Sequence, residues 1–229
     1  VIIVSRIFVT GDTHQSIDIS KLNMKNFPIQ KELTKDDYVI ICGDFGMVWD
    51  NSKEELWWRK WLDERNFTTL FVDGNHESFT LLNQYPVSEW NGGKVHFIND
   101  SIIHLMRGQV FTINNKKFFT MGGATSIDKM YRTEGKTWWA EEIPSKQELH
   151  EVLDNLDIHN GEVNYVLSHT TSNRLMQEMG YQKENNAINS YFDMLEQDLK
   201  YEQWYFGHFH NDEQYGKHRL LYYDVAEVI

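Results

Sequence analysis

The stretch TTLFVDGNHE, residues 68–77, decides the fold. Its first half is apolar and β-branched. Its second half is a turn signal carrying acid, amide and imidazole groups, so the whole reads as a buried strand ending abruptly on a chemically loaded loop. Working outward, the same pattern recurs at RIFVTGD (6–12), DYVIICGD (37–44), NYVLSHT (164–170) and QWYFGH (203–208). Helical patterns fall between these runs at 53–66, about 78–84, 145–159 and about 188–200, the third opened by a capping box from Ser145 to Glu148. Strand alternating with helix predicts a layered α/β fold. Residues 94–121 differ in texture: KVHFI, SIIHLM, QVFTI and KKFFTM read as a meander of short strands, with Asn114 and Asn115 supplying hairpin turn residues. RLLYYDVAEV, 219–228, reads as one further strand. The expectation is two sheets packed face to face with helices outside.

With 229 residues and no linker-like composition, the expected organisation is a single domain over 1–229. Its 8 Trp, 11 Tyr and 13 Phe exclude low-complexity disorder over most of the length. Cys42 is the single cysteine and sits in an apolar run, which predicts a buried thiol and a reducing, cytoplasmic compartment. No apolar stretch approaches a membrane span, and VIIVSRIFVTGD is too short and interrupted for a signal peptide, so a soluble protein is expected. The formal charge of −12 repels polyanions and disfavours duplex DNA as a partner.

Chemistry gathers where the strands stop. Asp12 and His14 follow the first run, Asp44 the second, Asn75, His76 and Glu77 the third, His169 the fourth, and His208 and His210 the fifth. In open α/β sheets ligands bind beyond the carboxyl ends of the strands, so these tips converge if the strands run parallel. Carboxylate, amide and imidazole donors suit divalent Mn, Fe or Zn and not copper(I). Seven such groups with one shared carboxylate suffice for two ions about 3.5–4 Å apart. Gly11, Gly43, Gly74 and Gly207 each precede one of these groups, where a turn needs close backbone approach.

The ordered blocks DTH (12–14), GD (43–44), GNHE (74–77), SHT (168–170) and GHFH (207–210) give the chain its likeness to a known family: it resembles the calcineurin-like metallophosphoesterases. That resemblance implies a four-layer αββα sandwich of two mixed β-sheets flanked by helices. It also implies two divalent ions, Mn²⁺ first with Fe or Zn as alternatives. Asp12, His14 and His210 would hold one ion, Asn75, His169 and His208 the other, and Asp44 would bridge them. His76 would act as an acid near the scissile oxygen. The implied activity is hydrolysis of a phosphomonoester or phosphodiester on a small-molecule or nucleotide substrate. The second block reads GDFGMVWD and lacks both the second acid of GDxxD relatives and the phosphate-gripping arginine of phosphoprotein phosphatases. A serine/threonine-type protein phosphatase with a protein substrate is therefore the alternative reading, ahead of an inert scaffold of the same fold.

Substrate contacts are sought in residues 122–145, a loop-rich segment where Arg132 and Tyr131 are the candidates and Trp138 and Trp139 stand nearby. Asp50 and Asp73 are candidate carboxylates beside His76. Trp57, Trp58 and Trp61 are expected to supply helix packing, and Arg174 a helix surface. His96, His104, His150, His159 and His218 are placed outside the site.

Overall fold

A computed structural model describes residues 4–228. Thirteen strands form: β1 (Ile7–Thr10), β2 (Tyr38–Cys42), β3 (Thr68–Val72), β4 (Val87–Trp90), β5 (Gly93–Asn99), β6 (Ile102–Leu105), β7 (Gln109–Ile113), β8 (Lys116–Met121), β9 (Tyr165–Ser168), β10 (Gln203–Phe206), β11 (Glu213–Tyr215), β12 (His218–Leu220) and β13 (Val225–Glu227). The five α-helices of the described residues are α1 (Lys53–Asp63), α2 (Phe79–Leu82), α3 (Lys146–Ile158), α4 (Asn173–Glu178) and α5 (Ala187–Asp198). One mixed sheet has the order β13-β1-β2-β3-β6-β5-β4 and the other β11-β12-β10-β9-β8-β7.

Alternation along the strands builds the layers. Ile7 and Val9 of β1, with Ile40 and Leu70, face Phe111, Phe118, Leu167 and Tyr205 of the second sheet. Phe8, Val39, Ile41 and Phe71 point the other way, onto Leu62 of α1 and Phe79 of α2. Beyond the second sheet, Phe119, Val166, Trp204 and Phe206 pack on Val152 and Leu156 of α3 and on Phe192 and Leu195 of α5. Three apolar layers thus separate four layers of structure, helix, sheet, sheet, helix, as the αββα expectation requires. Burying the five buried residues of β3 alone, TTLFV, explains why that run carries almost no polar side chain beyond its threonines.

The expected helices form with trimmed ends, and α3 has its capping box, Glu148 N donating to Ser145 Oγ and Ser145 N to Glu148 Oε2. Two expectations need correcting. The segment 94–121 is not one meander: β5 and β6 belong to the first sheet, β7 and β8 to the second, and the chain crosses between them at Arg107 and Gly108. Gly108, at φ +71°, makes that corner, whereas Asn114 and Asn115, at φ 52° and 60°, close the β7–β8 hairpin as their side chains suit. The C-terminal run is also two strands, with β12 in one sheet and β13 in the other. Among the described residues, no helix is long and apolar enough to cross a membrane. Cys42 is fully buried.

Candidate metal centre

Strands β1, β2, β3 and β6 run parallel in the first sheet, and β8, β9, β10 and β12 run parallel in the second. Their carboxyl ends deliver side chains to one crevice spanning both sheets. The connections there are tight. Four of the candidate ligands, His14, Asp44, His208 and His210, have φ of 42°, 46°, 72° and 49°, a left-handed backbone that non-glycine residues hold only when their surroundings impose it. Glycine makes room for them: a Cβ on Gly43, itself at φ +87°, would stand 2.2 Å from His169 Nδ1, and one on Gly74 would stand 2.1 Å from Asp44 Oδ1.

Asp12 is buried, and its Oδ1 accepts the His208 backbone N–H at 2.9 Å. Its Oδ2 has no donor in hydrogen-bonding geometry although His210 Nε2 lies 3.1 Å away and His14 Nε2 3.9 Å. A buried carboxylate oxygen without a donor, beside two imidazole nitrogens, fits a shared cation. Asp12, His14 and His210 form one cluster whose donor atoms all lie within 4.8 Å. Asp44 stands between the two sets: Oδ2 is 3.2 Å from His14 Nε2, and Oδ1 is 3.3 Å from His169 Nε2 while accepting the His76 backbone N–H at 2.8 Å.

On the far side of Asp44, the His169 Nδ1–H donates to the Cys42 carbonyl at 2.8 Å, which leaves Nε2 facing Asn75 Oδ1 at 3.1 Å. The Asn75 amide is held with Oδ1 inward because its Nδ2 donates to Ser126 Oγ at 3.2 Å, and Ser126 in turn donates to Glu142 through both its hydroxyl and its backbone. His208 packs edge-on to His169 with ring centroids 4.9 Å apart. Among the described residues its nitrogens join none of the tight histidine–carboxylate clusters, so of the expected histidine and aspartate ligands His208 stands back from them.

Burial opposes charge throughout this crevice, and the charges win by pairing. Against burial, Asp44 and Asp12 raise His14 to about 9 and His169 to about 10. Burial likewise works against Asp44, yet His169 and His14 hold its carboxyl well below the usual range. Positive charge is therefore favoured at this spot, whether a proton or a metal ion carries it. His208 is the exception: burial and then the neighbouring His169 push it down to about 4, leaving a neutral ring of the kind a metal ligand needs. Donor set, orphaned oxygen and glycine cradle together fit a divalent ion.

A family model described as calcineurin-like phosphoesterase matches residues 5–212. The chain belongs to that family. Calcineurin-like phosphoesterases are metal-dependent hydrolases of phosphoric esters, and the clusters around Asp12 and Asp44 are where this chain could hold its metal. No match is found among curated proteins, so the comparisons add the family and no individual substrate.

Around the centre lies a cavity of about 730 Å³, lined by Asp44, Asn75, His76, His208 and His210 together with the loops at 125–132 and 181–184. Arg132 enters it: Nη1 is 3.2 Å from His76 Nδ1 and Nη2 3.4 Å from Nε2, while Nη2 also pairs with Asp128 at 2.8 Å. Tyr131 is 87 % exposed and does not line the cavity. Neither candidate carboxylate reaches His76. Asp73 is taken by Arg107 and His104, and Asp50 caps Ser52 N at the start of α1. Burial first, then Arg132 and His14, lower the His76 pKa despite Asp44.

Further residues support the centre. Asp18 Oδ2 accepts the His14 Nδ1–H at 2.7 Å, and its Oδ1 accepts the Tyr222 hydroxyl at 2.9 Å. The Tyr222 ring lies flat on His210, centroids 4.5 Å apart. Lys21 Nζ ties the Asp12 carbonyl to that of Tyr222. Buried Glu77 binds Phe45 N and Gly46 N, joining the second block to the third. Of these, Asp18 carried a sequence signal in its i,i+4 spacing from His14 and Glu77 in its place within GNHE, while Lys21 and Tyr222 carried none. His218, placed outside the site, is buried with its Nε2 3.1 Å from Glu196 Oε1. Arg174 pairs on the surface with Glu178 and Glu196. Trp58 and Trp61 pack on the outer core while Trp57 is exposed.

Proposed function

We propose that this protein hydrolyses a phosphomonoester or phosphodiester of a small molecule or nucleotide at a two-metal centre, with Mn²⁺ the first candidate and Fe or Zn also suited to the donors. In this reading Asp12, His14 and His210 hold one ion, Asn75, His169 and His208 the other, and Asp44 is shared. What carries it is the pair of buried carboxylates, Asp12 and Asp44, whose side chains pair only with histidines among the described residues. Such a pair calls for cations from outside the chain. The same reading takes residues 1–229 as one domain, since the cluster draws on strands from both ends of the sequence. A cytoplasmic location is supported by the lone, buried Cys42.

When bound, the ions supply Lewis acidity at the phosphoryl oxygens and an acidified water. The chain's own groups do the rest. Arg132, beside the edge of His76, would turn onto a phosphoryl oxygen, and its departure would remove one of the contributions that, after burial, lower the His76 pKa. His76 then holds a proton for the leaving oxygen, a task worth about 10²- to 10⁴-fold.

The test is Mn²⁺-loaded protein assayed on p-nitrophenyl phosphate, its bis ester and a phosphoserine peptide. Hydrolysis of a nitrophenyl ester, with His76→Ala slowing turnover about 10²- to 10⁴-fold at unchanged metal content, is the expected result. Preference for the peptide would move the protein to the phosphatase alternative. Two bound ions with no hydrolysis of any ester would make it a scaffold.

A further inference from the structure

Two kinds of wall meet in the 730 Å³ cavity. Its volume is that of a pocket for a substrate with a sizeable organic part, far beyond a bare phosphoryl group. On one side, beginning inside the GHFH turn itself, the wall is apolar: Phe209 lies between His208 and His210, its ring 4.7 Å from that of Tyr181, with Met176 and Ile127 completing the surface. Tyr181 is 47 % and Ile127 89 % exposed, so this apolar shelf stands open beside the most polar part of the molecule instead of closing into a core. Phe209 also touches the His208 ring, centroids 5.0 Å apart, which brings the shelf to the edge of the candidate ligands.

Charge on the remaining wall is balanced. Beyond the candidate ligands and His76 it carries two cations, Arg132 and Lys183, and two acids, Asp128 and Glu184. Arg132 is already paired with Asp128 at 2.8 Å. A phosphomonoester brings two negative charges and a single organic group, which the leaving side beside His76 accommodates. A phosphodiester brings one negative charge and a second, retained group, which needs a surface of its own. The balanced wall and the shelf both suit the diester.

We infer that the preferred substrate is a phosphodiester whose retained group is aromatic, such as a nucleoside, seated on Phe209 and Tyr181. This rests on the phosphoesterase reading above and narrows it. In the reaction water adds its oxygen to phosphorus, the P–O bond to the leaving group breaks, and the leaving oxygen takes up the proton, so the product is a monoester still bearing the aromatic group. That product carries the second negative charge the wall does not match, which favours its release.

Two probes with the same leaving group isolate the retained one: thymidine 5′-p-nitrophenyl phosphate and methyl p-nitrophenyl phosphate, both with Mn²⁺-loaded protein. The expected result is a kcat/KM about tenfold or more higher for the thymidine ester, expressed mainly in KM, as base stacking on aromatic side chains gives. Tyr181→Ala, at a half-exposed position the fold does not need, brings the ratio of the two substrates toward one. Equal kcat/KM for the two esters overturns the inference, as does a ratio untouched by Tyr181→Ala, or faster turnover of p-nitrophenyl phosphate than of either diester. In each of those cases the phosphoesterase reading stands. Failure to cleave any nitrophenyl ester with metal bound removes that reading and the inference with it.

Discussion

Three neighbouring parallel strands, β1, β2 and β3, each stop at a buried aspartate, Asp12, Asp44 and Asp73. The third is balanced from within the chain. Arg107 reaches it from the end of β6, Nε at 2.9 Å and Nη2 at 2.6 Å from Oδ2, and His104 Nε2 lies 3.1 Å from Oδ1, with His104 Nδ1 passing on to His96 at 3.1 Å. Against burial, Arg107 and His104 hold the Asp73 carboxyl far below its ordinary range. The Asp12 and Asp44 side chains pair instead with imidazoles and accept the backbone N–H groups of His208 and His76, with no guanidinium or ammonium partner among the described residues. A permanent guanidinium makes a strut, and exchangeable protons make a site: the difference lies in the partner, not in the aspartate or its depth. The strut also serves the site, because the Asp73 carbonyl accepts Gly123 N at 2.9 Å and so ties the GNHE loop to the loop that carries Ser126 and Arg132.

The comparison breaks most visibly at Asp44. Asp44→Ala is expected to lose both ions, taking activity to background and abolishing the stabilisation that Mn²⁺ gives the wild type, about 2.7 kcal/mol at a hundredfold excess over Kd. Elemental analysis and urea melts with and without Mn²⁺ check it; an Asp44→Ala protein retaining two ions ends the shared-ligand assignment. At the strut the loss falls on the fold instead. Arg107→Met strands a buried carboxylate and is expected to cost about 3–5 kcal/mol, most of it recovered by adding Asp73→Asn, which removes the unpaired charge. If Arg107→Met unfolds at the wild-type urea concentration, Asp73 is not balanced as described.

A smaller effect tests whether internal pairing is general. Glu196, on α5, meets His218 at 3.1 Å, Arg174 Nε at 2.6 Å and Ser172 Oγ at 2.6 Å. Burial opposes its ionisation, but these partners bring the carboxyl down to about 2. A depressed folded pKa contributes stability fully present above the unfolded value near 4.3 and lost as pH falls from there toward 2, on the order of 2 kcal/mol. Glu196→Gln should therefore flatten the acid limb of the stability profile and leave its slope above pH 5 unchanged; an unaltered acid limb would show that the pairing contributes nothing.

The sites were legible in the sequence to the extent that chemistry sat next to a strand end. Asp12, Asp44, Asn75, His169 and His208 each follow a buried run within one to three residues, so recognising the strands also picked out these candidate ligands. What escaped was pairing across the sheets. Nothing near Asp73 announces Arg107, 34 residues on, nor does Tyr222 announce Asp18, 204 residues away. The sheet switch at Arg107–Gly108 was hidden because β5 to β8 have hairpin-like spacing throughout, and periodicity cannot say to which sheet a strand pairs. Once that switch is known, Arg107 follows: it stands at the end of a strand parallel to β3, where a side chain meets the Asp73 loop.

The finest test concerns what separates a ligand from an ordinary histidine. Asp18 accepts the His14 Nδ1–H, fixing the tautomer with Nε2 toward Asp12 and Asp44, and through the Tyr222 hydroxyl it steadies the ring on which His210 lies. Two of the three candidate ligands of one ion thus depend on Asp18, and none of those of the other does. Asp18→Asn keeps the shape but weakens the acceptor, so affinity for one ion should fall about ten- to hundredfold while the second is held as before. Stepwise Mn²⁺ titration by calorimetry separates the two. Tyr222→Phe, which removes only the hydroxyl, should move the same ion in the same direction by less. Equal weakening of both ions in Asp18→Asn would mean that the two sets of ligands are not separate sites but one, and that Asp44 divides nothing.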